Sequence, residues 1–219
     1  MKLNFYKYKI NNLKIVVNLI LRKFDTTFIY SQHYNMKTFV IFILAFIFHK
    51  YLLSPIEIFI FSEETTDHAS LIYLPHAVRI IAYYVIGPIA LLPIFLSQCL
   101  TNIFFNEAGL IIAGNLSFIS TFSIFAGFYL YRFIKKGNLF NINATVDWKK
   151  IIIVGFLVSI FNSTLSSLYI NYFEQSSGHF HEYLNFNYLI GDMLGLVLGM
   201  LLFIVILYFF KYWIRNVRN

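Results

Sequence analysis

The sequence predicts an all-α fold: a polytopic integral membrane helix bundle of about six transmembrane helices, with both termini cytoplasmic. Three observations carry that expectation. First, hydrophobic residues make up 59% of the 219-residue chain and charged residues only 12%, against roughly 25% charged in a soluble domain. Phe occurs 26 times and Tyr 16 times, which is more apolar surface than a soluble chain of this size can hide. Second, the apolar residues gather in runs near the length that crosses a bilayer. Third, the basic residues between those runs fall almost entirely on one side.

A crossing needs about 20 mostly apolar residues. The candidates, in chain order, are 37–54, 71–86, 88–105, 110–133, 149–173 and 186–210. The first is the least regular, because Lys50 follows His49 near its outer end. The second and third are short and divided only by Gly87-Pro88, so they read as a tight helical hairpin. With the N-terminus placed inside, the inner segments are 1–37, the Gly87-Pro88 turn, 132–150 and 211–219, and they hold fifteen of the 17 Lys and Arg residues. The outer segments hold Glu57, Glu63, Glu64, Asp67, Glu107, Glu174 and Glu182. This is the positive-inside pattern, and it explains the net charge of +7 as topology, with no nucleic-acid partner implied. Lys50 and Arg79 are the exceptions. Lys50 lies close enough to the outer interface to snorkel there.

Three regions follow. Residues 1–36 precede the first crossing. Within them Asn11, Lys14, Asn18 and Arg22 recur at helical spacing opposite Leu13, Val16, Val17 and Ile20, the pattern of a basic amphipathic helix on the inner membrane surface. Met36-Lys37 before "TFVIFILAFIF" also reads as a second start, in which case the preceding residues are a dispensable extension. Residues 37–210 form the bundle, and 211–219 a short basic cytoplasmic tail.

Small residues mark where helices approach closely. Gly191, Gly195 and Gly199 form two overlapping GxxxG steps. Gly155, Ser159, Asn162, Ser163 and Ser166 make a second stripe, and Ala113, Ser117 and Ser120 a third. These stripes are expected to face one another, leaving the faces rich in Phe, Ile and Leu to lipid.

Charges within a bilayer cost about 2.5–3.5 kcal/mol each on insertion scales and are usually functional. Arg79 and Asp192 qualify. At about 1.5 Å per residue, Arg79 lies roughly 12 Å and Asp192 roughly 9 Å from the outer ends of their runs, so the two are expected to pair. His76, Gln98, Asn102, Asn115 and Asn162 fall near the same outer half, and Pro75 opens the second run. The sharp reading is an outward-facing polar pocket for an unknown small-molecule ligand, with Pro75, His76, Arg79, Asn102, Asn115 and Asp192 as its residues. The plain reading is a structural ion pair with amides joining the helices. "GHFHEY" (178–183) offers two histidines and a glutamate, a weak metal pattern, and a polar loop is the simpler account. Cys99 is the single cysteine and reads as a packed residue. No nucleophile elbow, H-E-x-x-H or phosphate loop occurs, so neither catalysis nor a cofactor has positive support.

Four stretches together resemble the MASE1 family of bacterial integral membrane sensory domains: "YLPHAVRIIAYYVIG" (73–87), "LLPIFLSQCLTNIF" (91–104), "AGNLSFIS" (113–120) and "YLIGDMLGLVLG" (188–199). The resemblance covers about residues 71–210. It implies an inner-membrane sensory or ligand-binding module. The family usually has about eight spans and often precedes a kinase or cyclase module, whereas this chain has about six and stops nine residues past the last. Leu74 and His76 depart from the aromatic, doubled-proline pattern of the family, and Arg79 is not among the features that carry the resemblance. Signalling would therefore run through a separate partner protein. A small solute transporter, or the substrate-binding membrane subunit of one, is the alternative, and a membrane assembly or structural factor is a third.

Overall fold

The computed structural model describes residues 35–61, 70–106, 109–135, 147–174 and 184–217. The amphipathic segment expected before residue 36 and the histidine loop at 178–183 lie outside them. Every regular element among the described residues is helical. We label them α1 (Asn35–Ile60), α2 (Leu74–Ile86), α3 (Leu91–Phe105), α4 (Leu110–Lys135), α5 (Trp148–Glu174) and α6 (Leu184–Val217). A short 3₁₀ turn, Pro88–Ala90, leads into α3.

Among the described residues, five stretches are long and apolar enough to cross a membrane: Asn35–Ile60, Pro88–Phe105, Leu110–Lys135, Trp148–Tyr172 and Asn185–Ile206. The protein is therefore membrane-embedded. The second expected crossing is the exception to full length. α2 has 13 residues, about 20 Å of helix against a hydrocarbon core of about 30 Å.

α1 continues past residue 54, where the sequence suggested it would stop at Ser54-Pro55. A π turn at His49–Leu53 precedes the proline. The wider turn lets the chain pass a residue that has no N–H and whose ring would otherwise strike the carbonyl four residues back. α2 begins with Pro75 in its first turn, where a missing N–H costs nothing. It ends at Gly87, whose φ of 82° is the single positive value among the described glycines. The Gly87 N–H closes on Tyr83 O at 2.8 Å, and Pro88 then turns the chain back into α3.

Neighbouring helices alternate in direction. Gly127 of α4 lies against Val158 of α5, and Gly155 of α5 against Leu196 of α6. α2 and α6 run parallel, joined along the glycine stripe. A Cβ on Gly191 would strike the Ser70 carbonyl, one on Gly195 the Tyr73 carbonyl, and one on Gly199 the Ala77 side chain. The absence of side chains there lets Tyr73 N–H reach Gly191 O at 2.9 Å. One end of the bundle is apolar inside, with Tyr83 against Phe128 at 4.4 Å and Ile80, Ile124, Ile151 and Leu196 fully buried. At that end Asp147 caps α5 by accepting from Lys150 N–H at 3.3 Å, and it pairs with Lys150 Nζ at 3.2 Å. The Lys150 hydrogen bond holds its carboxyl below the usual carboxylate range. The other end holds the polar residues.

Candidate functional site

Five helices each send one polar side chain into a closed ring. Arg79 of α2 donates from Nη1 to Gln98 Oε1 of α3 at 3.4 Å. Gln98 Nε2 donates to Ser120 Oγ of α4 at 2.9 Å. Ser120 donates to Asn162 Oδ1 of α5 at 2.9 Å. Asn162 Nδ2 donates to Asp192 Oδ2 of α6 at 2.7 Å. Arg79 Nη2 reaches Asp192 Oδ1 at 3.3 Å and closes the circuit. Each of the five residues is buried, Arg79 and Asp192 to 1% exposure.

The ring has a consistent hydrogen-bond polarity. Arg79 can only donate and an ionised Asp192 can only accept. The bonds accordingly run from Arg79 to Asp192 along two arms, one direct and one through Gln98, Ser120 and Asn162. The two charges cancel within one bundle, which is what makes burial of either tolerable.

His76 sits inside this arrangement. Its Nδ1 is 2.9 Å from Arg79 Nη2 and 3.3 Å from Asp192 Oδ1, and its Nε2 is 3.2 Å from Ser159 Oγ. Ser159 already donates its own proton to Gly155 O at 2.9 Å. His76 Nε2 must therefore be the donor to Ser159, and Nδ1 the acceptor from Arg79. That fixes a neutral imidazole with its proton on Nε2. Arg79 also lies over the Tyr73 ring, 5.3 Å from its centroid. Its Nε has no partner among the described residues, so the guanidinium keeps one buried donor unused.

The expected site residues separate into three groups. His76, Arg79 and Asp192 meet at the ring. Pro75 is buried one residue before His76 and sets the start of their helix. Asn102 is buried one turn from Gln98, donating to Ser117 Oγ at 3.4 Å and accepting from Asn106 at 3.2 Å. Asn115 is not brought to the ring. It is exposed on α4 and donates to Tyr169 OH at 3.0 Å. Gln98, Ser120 and Asn162 are the ring members outside the expected ligand set, although the stripes of Ser120 and Asn162 were legible at helical spacing and Gln98 was among the polar groups of the outer half.

α1 braces the polar end. Lys50 Nζ donates to Phe105 O at 2.6 Å and so caps α3, beyond the simple snorkelling its position suggested. Glu57, 2% exposed, accepts from Ser70 Oγ at 2.7 Å and Leu71 N–H at 3.0 Å. These bonds hold residues 70–73 where Tyr73 can cover Arg79.

No protein-family model, curated protein or solved structure matches this chain.

Proposed function

We propose that the chain is a bacterial inner-membrane sensory or ligand-binding module that acts through a separate partner protein. The single observation carrying this reading is the ring joining five helices around one arginine with a donor to spare. A ligand that engages Arg79, or displaces Asp192 from it, breaks a circuit to which each of those helices contributes. A local event near one membrane face then reaches the helix ends on the other. The MASE1-like motifs support the same reading, since "YLIGDMLG" contains Asp192.

The proposed topology has six crossings, both termini cytoplasmic and the ring in the outer half. The alternating helix directions and the one-sided basic residues support it. The short α2 does not disturb the sidedness of the other helices. Whether the α2–α3 hairpin reaches the inner face or re-enters part-way, α4 starts on the side where α1 ended.

The test is a distance measurement. Spin labels at Ile134 and Trp213, both exposed, are placed in a Cys99→Ala background. Opening the ring with Asp192→Asn should shift or broaden the label separation. An unchanged distribution, in a protein that has lost ring stability, would refute signalling through the ring. Net solute uptake into liposomes would assign transport instead.

A further inference from the structure

At the bundle end opposite the ring, positive charge outnumbers negative among the described residues. Asn115 faces Tyr169, Ser120 faces Asn162 and Gly127 faces Val158, which fixes the antiparallel register of α4 and α5. Continued along the pair, that register brings Lys135 level with the Lys149–Lys150 turn. Arg132, Lys135, Lys149 and Lys150 are exposed. Lys150 has Asp147 at 3.2 Å. Arg132, Lys135 and Lys149 have no ion pair or side-chain hydrogen bond among the described residues. The register thus puts like charges near one depth of the bundle, where they repel one another.

The surroundings are those of a membrane boundary. Trp148 is partly buried against Phe203, at 6.3 Å. The Tyr84 hydroxyl accepts from Asp147 N–H at 3.4 Å. Aromatic residues with one polar end favour this depth. Phe133, Ile134, Ile152 and Ile153 are exposed beside the charges.

From this we infer that the joined ends of α4 and α5 bind the headgroup of an anionic phospholipid, with Arg132, Lys135 and Lys149 as phosphate donors. The guanidinium offers a fork matched to two phosphate oxygens, and the ammonium groups add point charges. The neighbouring apolar side chains receive the acyl chains, which a free anion does not have. This inference rests on the multi-pass reading above.

The test uses Trp148 as reporter. The chain has 2 tryptophans, so Trp213→Phe leaves Trp148 alone. The full-length protein is reconstituted in phosphatidylcholine vesicles with increasing fractions of brominated phosphatidylglycerol or, in parallel, brominated phosphatidylcholine. Brominated phosphatidylglycerol should quench Trp148 at the lower mole fraction. Each of Arg132→Gln, Lys135→Gln and Lys149→Gln should cut that preference about fivefold, which corresponds to about 1 kcal/mol per basic residue, with thermal stability in neutral lipid retained. Equal quenching by the two lipids, or a preference that survives the triple variant, would overturn the site while leaving the bundle intact. No quenching by either lipid would overturn the membrane reading together with the site. Loss of the preference on adding inorganic phosphate would reassign the charges to a free anion and overturn the lipid as occupant.

Discussion

Arg79 and Asp192 are each tolerable because the other is there. Removing one partner leaves an uncompensated buried charge, which typically costs about 3–5 kcal/mol. Arg79→Gln and Asp192→Asn should each destabilise the bundle on that scale in detergent unfolding. The double variant should lose less than the sum, since no orphan charge remains. Strictly additive losses would show that the pair is not the coupled unit its geometry suggests. Ser159→Ala tests the imidazole separately. It removes the hydroxyl acceptor of His76 Nε2–H and leaves the Gly155 carbonyl beside it, for a cost of about 0.5–1.5 kcal/mol, and Ser159→Thr should restore most of it. The pairing itself was legible in the sequence, because helical rise converts position in an apolar run into depth. The role of His76 was not. Its tautomer depends on where Ser159 sends its own proton, a fact about α5 that no spacing in α2 contains. Asn115 shows the same limit. Depth placed it near the ring, but depth says nothing of azimuth, and its side of α4 turns toward Tyr169.

Helix packing sets the tolerance of each glycine. Gly195→Ala should destabilise the α2–α6 contact, because the new Cβ meets the Tyr73 carbonyl, which belongs to backbone and cannot swing aside. Gly195→Leu should be worse. Gly114→Ala is the matched control, with nothing within 4 Å of the added atom, and should leave the unfolding midpoint nearly unchanged. Equal effects at the two positions would mean the stripe does not hold α6 against α2. The glycine spacing announced a packed face. Its partner, the irregular residues 70–73 as much as α2, could not be read from α6 alone. The cap of α5 has a pH signature. Because Lys150 holds the Asp147 carboxyl low, its folded value lies below the unfolded one. The cap is then fully present above about pH 4 and fades as the pH falls through the folded value. Protection factors at the Lys150 and Ile151 amides, taken relative to intrinsic exchange at each pH, should fall only in that acid range, and a fall near neutrality would contradict the assignment.

Taken whole, the molecule separates its two ends by chemistry. Glu57 and the ring occupy one, and exposed Arg132, Lys135 and Lys149 the other. Reporter fusions at Asn138 and Gly178 should therefore report opposite sides of the membrane. The same side for both would overturn the threading. Composition and charge asymmetry sufficed for the helical class and for most of the helix boundaries. They also showed the second run to be short, but could not foresee that α1 would run through Ser54-Pro55, since a π turn has no marker in hydropathy.

The separation of 113 residues between Arg79 and Asp192 has a consequence for synthesis. Translation proceeds at roughly 5–20 residues per second, so Asp192 follows Arg79 by roughly 6–23 seconds. Throughout that interval the nascent hairpin holds a cation with no counter-ion in a helix too short to span comfortably by itself. It must wait at the translocon or against other early helices until α6 arrives. The last helix made thus licenses the second, and a ribosome that stalls before Asp192 leaves a membrane intermediate marked for proteolysis by its own unanswered charge.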